Sequence, residues 1–588
     1  MNLPQFLKQV DAAAQKLPKD KLITFIHKLA FTLPEYQRED FLGKLYDIGE
    51  GESEDSGRSE AEQLNEQEIQ KELHSLERQL QQIEEGEICL IGTWNEEYDE
   101  WYNSSVDEFL FEDPKDIIGI LQKACTLVHQ CVDREWYREG YNLGNRLMGL
   151  MVMVEGDYAD YGEDTLSLNG LRQQGLVSFN FNQLLLDTLY AAYRSCPLEE
   201  RPEALFQIIY NSESHDVTLE KLMQAGAEEL DEFDDFLKLW IEYLAVRSGR
   251  EERRLLADAL PLLNDSAASL EIARRFSALH PEIYEQILAQ SLISGGAEEK
   301  WKVGEEALCR IKPQYIVRSR IALLTAQYAL ELKKQEEAEK CWLEAFRSDT
   351  RPIHYMRLAV ECSDFTKYRQ EVRQIYHELL KTPQKESVIL GESAENRIGK
   401  NTYYILEFLE GEFQKVILEG MNEKKALGWS FTFMKSGIAL FLLYLYRGKA
   451  LFSGCASMCS RIAEEICFTK EGYSEGLIRS VNTDKTSLFW ECFDKWRTQT
   501  SMSEEEQEKI LKKLDQWIRL RVEGIMQANR RNYYAECAAF IAALGEVRES
   551  RGEYNGKARL MEAYRSAYSR RTAFHREMEA FGMKRKKK

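Results

Sequence analysis

Residues 321–352 read IALLTAQYALELKKQEEAEKCWLEAFRSDTRP and carry the clearest helical pattern in the chain. Its apolar residues recur at helical spacing in two successive blocks, which predicts two consecutive helices. Small residues stand where the two helices are expected to touch, and a large residue stands where they clasp. These positions are Ala326 on the first helix and Ala338, Trp342 and Ala345 on the second, and Pro352 closes the segment. The stretch therefore predicts one tightly packed helix pair.

The spacing of this pair matches a repeat pattern. The offsets of 12, 4 and 3 residues between Ala326 and Ala345 are those of the tetratricopeptide (TPR) repeat, although Ala329 stands where that repeat normally carries Tyr. A preceding pair, Glu282 to Ser294 and Glu298 to Ile311, lies about one repeat length upstream. Because one helix pair cannot bury both of its apolar faces alone, such pairs stack. We therefore predict an all-α fold: a TPR-like helical-repeat solenoid with a small N-terminal helical cap.

Composition also favours helices. The 588 residues include only 11 Pro and 34 Gly, too few turn residues for an all-β sandwich or barrel. Hydrophobic residues make up 44% and charged residues 30%, which is typical of a globular chain and not of a disordered or membrane protein. The length predicts about four domains or one elongated array of repeats.

The pattern along the chain divides it into six segments. Leu17-Pro18 returns sixteen residues later as Leu33-Pro34, which predicts two short tandem helices. Further along, five apolar residues at a/d spacing predict a two-heptad helix: Ile69, Leu73, Leu76, Leu80 and Ile83. The segments are an N-terminal helical cap (1–49), an acidic linker with the heptad helix (50–114), helical repeats (115–280), TPR-like repeats (281–400), C-terminal helical repeats (401–569), and a basic C-terminal helix and tail (570–588).

Several features bear on the compartment. The first 21 residues include Asp11 and Lys16 and lack the uninterrupted apolar core of a signal peptide. The 12 cysteines are too sparse for a disulfide scaffold, so we expect reduced thiols and a cytoplasmic location. An apolar run from Leu427 to Tyr446 reaches membrane length, but Lys435 lies within it, which favours a buried helix and no membrane contact.

Charge is unevenly distributed over this acidic chain. The net charge is −22, with −18 between Glu50 and Asp113 and +7 between Gly545 and Lys588. In the acidic stretch, Trp94, Tyr98 and Trp101 fall on one face of a predicted helix among carboxylates. Two interpretations stay open: a docking peptide with aromatic anchors, or a helix that packs its aromatics inward. The basic tail, with Lys584, Arg585 and Lys586, is either a second contact surface or a solvated terminus.

The motifs of catalysis and metal binding are sparse. No Gly-Lys pair is followed by the Ser or Thr that a phosphate-binding loop needs, and C-x-x-C does not occur. Cys125, His129 and Cys131 have helical spacing that a zinc site could use, but no fourth ligand is apparent, and buried thiols beside a packed histidine are the alternative. We predict no catalytic residues, no cofactor and no enzymatic activity.

The C-terminal region has a sequence pattern that is similar to part of a known protein family. Residues 531–540 (RNYYAECAAF) are followed by 564–574 (YRSAYSRRTAF), an aromatic and Ala-rich helix that leads into an Arg-rich helix. This succession resembles the closing repeats of bacterial SWIM zinc-finger proteins. The zinc finger itself needs a C-x-C pair with a further Cys and His, and no two cysteines here are separated by a single residue. The resemblance therefore implies the helical scaffold of that family without its zinc or its nucleic-acid contact.

The expected function follows from the architecture. Stacked helix pairs form extended concave surfaces, so we predict a non-catalytic scaffold that binds a protein partner in a groove. The alternatives are a nucleic-acid-associated accessory protein that uses the basic tail, or an enzyme with an unrecognised site. Acidic net charge opposes nucleic-acid binding because that binding depends on neutralising phosphates.

Overall fold

A computed structural model describes residues 16, 21, 60–98, 107–160, 164–214, 216–225, 229–290, 292–293, 295–381, 396–478 and 483–584. The predicted cap (1–49) lies outside these residues except for Lys16 and Lys21. The chain divides into two compact units, Met1–Leu263 and Asn264–Lys588, here called unit 1 and unit 2. The described part of the chain is mostly helical, which roughly confirms the predicted all-α class, and unit 1 adds a small sheet that was not predicted.

The sheet of unit 1 has four short strands. They are β1 (Leu90–Trp94), β2 (Phe109–Glu112), β3 (Met151–Gly156) and β4 (Thr165–Ser167). Their order is β2-β1-β3-β4; β1 and β3 are parallel, and the two outer pairs are antiparallel. Two of these strands lie in the predicted acidic linker, and the other two lie among the predicted helical repeats of 115–280.

Side chains alternate between the two faces of this sheet. Val152 and Val154 of β3 are buried on one face, whereas Met151 and Met153 are exposed on the other. On the buried face, the ring of Tyr158 packs edge-on against Phe109, with ring centroids 5.0 Å apart. One side of the sheet therefore belongs to the core of unit 1.

Ten helices accompany the sheet in the described part of unit 1. They are α1 (Glu60–Glu84), α2 (Ile117–Asp133), α3 (Tyr137–Met148), α4 (Asp157–Asp160), α5 (Leu168–Gln173), α6 (Phe181–Ser195), α7 (Arg201–Asn211), α8 (Leu219–Leu222), α9 (Phe233–Ala245) and α10 (Arg250–Ala259), followed by a 3₁₀ turn (Leu260–Leu263). Helix α1 carries the heptad residues, buries Leu76, Leu80 and Ile83, and packs against α2 and β3. The Asn180 side chain caps α6 by accepting a hydrogen bond from Gln183 N (3.2 Å).

In its described part, unit 2 has helices and no β-strand. Its α-helices are α11 (Ser266–Phe276), α12 (Glu282–Ala289), α13 (Ala297–Arg310), α14 (Val317–Glu331), α15 (Gln335–Ser348), α16 (Pro352–Glu361), α17 (Thr366–Lys381), α18 (Lys400–Leu409), α19 (Phe413–Lys415), α20 (Met434–Leu445), α21 (Ser453–Glu465), α22 (Lys470–Ser474), α23 (Lys485–Arg497), α24 (Glu504–Gln527), α25 (Tyr534–Ser550), α26 (Gly556–Ala567) and α27 (Thr572–Ala580). A π-helical turn (Val416–Gly420) and two 3₁₀ turns (Ala426–Phe431 and Arg531–Tyr533) connect some of them.

The helix pair read from residues 321–352 is α14 with α15. All four of its pattern residues are buried: Ala326, Ala338, Trp342 and Ala345. The Trp342 indole donates a hydrogen bond to the carbonyl of Gly476 (3.0 Å), so the clasping residue also ties the pair to a distant part of unit 2. Pro352 occupies the first turn of α16, where its missing N–H costs no hydrogen bond.

The apolar run from Leu427 to Tyr446 forms a short buried helix. Helix α20 has 12 residues, and nearly all of them are buried against other helices of unit 2. Lys435 lies near its start, where its ammonium contacts a carboxylate of Glu536. Among the described residues, no helix is both long and apolar enough to cross a membrane.

Candidate functional site

The predicted aromatic anchors do not form one helical face. Trp94 ends β1, and Tyr98 follows in the turn after it, so the prediction of a helix over these residues is wrong. The half-buried Trp94 ring packs edge-on against Tyr98 and Phe109, with centroids 5.8 and 5.4 Å away. Trp101 lies outside the described residues. Trp94 therefore packs largely within unit 1.

The basic tail is described only at its start. Lys584 is exposed, and its backbone carbonyl accepts a hydrogen bond from the Arg565 guanidinium (2.9 Å). Arg585 and Lys586 lie outside the described residues. A contact surface on this tail stays a prediction.

The cysteine and histidine motif of α2 does not converge on one point. Burial raises the pKa of the Cys125 thiol to about 12 and that of Cys131 to about 11. His129 instead lies half exposed and contacts the Asp187 carboxylate (Nδ1 to Oδ2, 2.8 Å) and Asp133 (3.6 Å). Across the described part of the chain, no group of three or more His, Cys, Asp or Glu side chains could hold a metal ion.

One cluster in unit 2 has the side chains that acid-base catalysis uses. The buried Glu407 carboxylate contacts His377 Nε2 (2.9 Å) and Lys415 Nζ (3.2 Å), and it accepts a hydrogen bond from Tyr376 (3.2 Å). Burial lowers the pKa of His377. Burial alone would also lower the pKa of Lys415, but hydrogen bonds to Tyr403 and Glu407 outweigh it and raise that pKa.

The setting of this cluster indicates a structural role. Other side chains of α17 make the same kind of contact along the helix: Tyr368 donates to Glu339 (3.3 Å), and Arg369 donates to Glu410 (3.0 Å). These polar contacts recur along α17 and link it to the neighbouring helices. The groups around Glu407 continue this row and place positive or polar partners beside a buried carboxylate.

A groove in unit 1 is the better candidate site. It has a volume of about 580 Å³ and runs between the ends of α3 and α7, the strands β3 and β4, and α10. Its lining includes Met148, Met151, Ile209, Tyr210, Glu213 and Glu251. A volume of this size is typical of sites that hold a ligand or a partner's side chain.

Local structure explains why large apolar side chains face this groove. Because Val152 and Val154 point into the core, the alternation of β3 turns Met151 and Met153 outward, where they are 47% and 41% exposed. Tyr210 is 63% exposed at the last turn of α7, and its ring stacks on Phe206, one turn earlier, with centroids 6.0 Å apart. Half-exposed large apolar side chains beside a groove are typical of a binding surface.

The groove belongs to a strongly acidic unit. Residues 1–263 carry 53 Asp and Glu against 24 Lys and Arg, a net charge of −29, whereas residues 264–588 carry +7. Glu213 and Glu251 line the groove, and Glu155 follows Met151 and Met153 on the exposed face of β3. Glu251 is partly neutralised by Arg254 (2.9 Å). The site therefore combines an apolar floor with an acidic rim.

Sequence reasoning did not find the groove residues. A signal was present in the run Met151-Val-Met153-Val, where β-branched residues alternate with methionines as a strand with two different faces requires. Tyr210 carries no such signal, because only the tertiary packing of α7 near the sheet brings it to Met151. The chain matches no protein-family model and no curated protein.

Proposed function

We propose that this chain is a non-catalytic helical scaffold that binds a protein partner, and that the partner docks in the groove of unit 1. The observation that carries this proposal is the exposed pair Met151 and Tyr210, which line one groove. Methionine side chains adapt their shape to a bound apolar surface, and tyrosine supplies a rigid anchor. The stacking of α12 to α15 as TPR-like pairs, and the SWIM-like helical C-terminal region, belong to the same proposal.

The chemistry of the groove defines the partner segment. Its floor fits one or two apolar side chains of a partner, and its carboxylate rim favours Lys or Arg beside them. Electrostatic attraction to unit 1 speeds the encounter, whereas the apolar contact holds the complex. We therefore propose that the partner is a protein segment with an apolar anchor flanked by basic residues.

The test is affinity purification of the tagged full chain with nuclease treatment, at low and at high salt. Three chains are compared: wild type, Met151→Glu, and Tyr554→Ala as the matched control. Tyr554 is 83% exposed in unit 2, so its substitution removes an exposed aromatic ring without touching the groove. We expect a stoichiometric protein that persists at high salt with wild type and Tyr554→Ala and is lost with Met151→Glu.

Two results would contradict the proposal. A partner that is retained equally by Met151→Glu would not use the groove. Material that is lost with nuclease treatment would point to nucleic acid and to the alternative function through the basic tail. Circular dichroism and the unfolding temperature of Met151→Glu establish that the variant is folded; Met151 is half exposed, so a glutamate there can stay in water.

A further inference from the structure

Three cationic side chains of unit 2 converge on a single carboxylate. Arg521 Nη2 and Lys435 Nζ each lie 2.7 Å from an oxygen of Glu536, and Arg461 Nη2 lies 3.8 Å away. The cations come from three helices, α24, α20 and α21, and Glu536 comes from α25. Packing of four helices therefore places these charges together.

The cluster carries an excess of two positive charges. Within the described residues, Glu536 is the only carboxylate within ion-pair distance of Lys435, Arg461 or Arg521. The carboxylates that follow Arg461 on α21 are not within ion-pair distance of it and bond to neutral side chains: Glu464 accepts from Ser460 (3.2 Å), and Glu465 accepts from Asn401 (3.1 Å). Cations that are partly removed from water without a counter-charge are costly, so this arrangement favours a bound anion.

Arg461 is the least satisfied of the three cations. Its Nε is buried and has no hydrogen-bond partner, and its contact with Glu536 is the longest of the set. The Arg461 side chain is nevertheless 31% exposed, and that of Lys435 is 17% exposed, so solvent reaches both. The partly exposed Lys435 and Arg461 side chains are therefore the ones that a ligand can approach from solvent, whereas Arg461 Nε stays buried.

The remaining side chains hold the site rigid. Arg521 is 1% exposed and also donates to the carbonyl of Ala426. The ring of Tyr533 lies 5.3 Å from Lys435 Nζ and 5.0 Å from Arg521 Cζ, and the Tyr533 hydroxyl contacts Ser430 (3.4 Å). Arg521 thus supplies a fixed positive charge behind the two accessible cations. The cation–π contacts with Tyr533 orient Lys435 and Arg521, and Arg461 lies over the Phe540 ring (5.6 Å).

We propose that Lys435 and Arg461, backed by Arg521, form a binding site for a phosphate-class dianion. A dianion matches the excess of two charges, and a guanidinium presents a planar set of donors that suits phosphate oxygens. The ligand is either free phosphate or the phosphate group of a small ester, since both present the same oxygens. This site is independent of partner binding in the groove of unit 1.

Calorimetric titration of the full chain with inorganic phosphate and with O-phosphoserine tests the site, at constant ionic strength. Three chains are compared: wild type, Arg461→Gln, and Arg519→Gln as the matched control. Arg519 lies on α24 with its side chain 63% exposed and pairs with Asp515 outside the cluster. We expect binding by wild type and Arg519→Gln, and an affinity at least about ten-fold weaker for Arg461→Gln, because hydrogen bonds between charged groups are strong.

A second readout separates a binding role from a merely structural one. In phosphate-free buffer, Arg461→Gln is expected to unfold at the same temperature as wild type or higher, because it relieves repulsion among three cations. Added phosphate then raises the unfolding temperature of wild type but not of Arg461→Gln. Tighter binding of O-phosphoserine than of inorganic phosphate identifies an ester as the ligand, and the reverse identifies free phosphate. The proposal is overturned if wild type binds neither, or if Arg461→Gln binds both as tightly as wild type does.

Discussion

His354 illustrates how hydrogen-bond chemistry fixes the protonation of one buried side chain. Its Nδ1 lies 2.7 Å from Arg357 Nη1, and its Nε2 lies 3.1 Å from Asp349 Oδ2. Because a guanidinium can only donate, Nδ1 must accept, and the proton of the neutral ring must be on Nε2, facing Asp349. Burial lowers the pKa of His354 to about 4, and the charge of Arg357 acts in the same direction, whereas the contact with Asp349 opposes this shift without outweighing it.

This lowered pKa predicts a loss of stability in mild acid. The unfolded state takes up a proton near pH 6.5 and the folded state only near pH 4, so the His354 contribution is complete above pH 6.5 and declines below it. We expect the contribution of His354 to the free energy of unfolding to fall by about 2 kcal/mol between pH 7 and pH 5. Urea unfolding at both pH values, read from hydrogen exchange of peptides within 317–361, measures this change.

The comparison for this prediction is between two histidine variants. His354→Gln is expected to lose most of the pH dependence, whatever its stability at pH 7. His74→Gln is the control, because His74 is 85% exposed on α1 and is expected to leave the pH dependence of unit 2 unchanged. Equal pH dependence of His354→Gln and wild type would show that His354 is not the group that titrates.

At the scale of elements, the crossing of α21 over α25 depends on a glycine. A Cβ atom at Gly454 would lie 2.3 Å from the backbone nitrogen of Ala543. Next to this contact, the buried Glu546 carboxylate accepts hydrogen bonds from the backbone N–H groups of Gly454 and Cys455 (2.9 and 2.7 Å) and from Lys557 (2.6 Å). The start of α21 is therefore held against α25 at backbone distance.

Gly454→Ala is expected to destabilise unit 2 by about 3 kcal/mol, because the obstacle is backbone and cannot rotate away. Gly399→Ala is the matched control. A Cβ at Gly399, just before α18, would have no atom within 4 Å, so we expect a loss of about 1 kcal/mol or less from the changed helix cap. Chemical denaturation of both variants measures the difference, and equal losses would mean that the helices separate easily.

Elements with strong local periodicity could be predicted from the sequence, and short strands could not. The pair α14 and α15 was predictable because its small and large residues repeat within one segment of 32 residues. Strands β2 and β4 have only four and three residues, too few to show alternation. In β1, the buried position between Leu90 and Trp94 is occupied by Gly92. Because glycine has no apolar side chain, the sequence does not show the alternation that a strand with one buried face would have.

The candidate sites depend on contacts between residues far apart in the chain. Lys435 was conspicuous in the sequence as a charge within an apolar run, but its partner Glu536 is about a hundred positions later. Met151 and Tyr210 are likewise joined only by the packing of α7 near β3. Local periodicity gave no information about such pairs, so both sites emerged only from the tertiary structure.

For the whole molecule, charge and exposed apolar surface coincide in unit 1. This unit carries the net charge of −29, and within it Met151 and Tyr210 lie exposed at the groove. The sequence already indicated an acidic stretch between residues 50 and 113. The structure adds that the acidic unit contains the groove, which is why we expect a partner segment with basic flanks.

The most direct test of the central proposal is site-specific photo-crosslinking in cells. A photo-reactive phenylalanine analogue replaces Tyr210 in the full chain, and a second chain carries it in place of Tyr554. We predict one discrete protein adduct from position 210, absent from position 554, with a basic segment at the crosslinked site of the partner. No adduct from position 210, or the same adducts from both positions, would contradict partner binding in the groove.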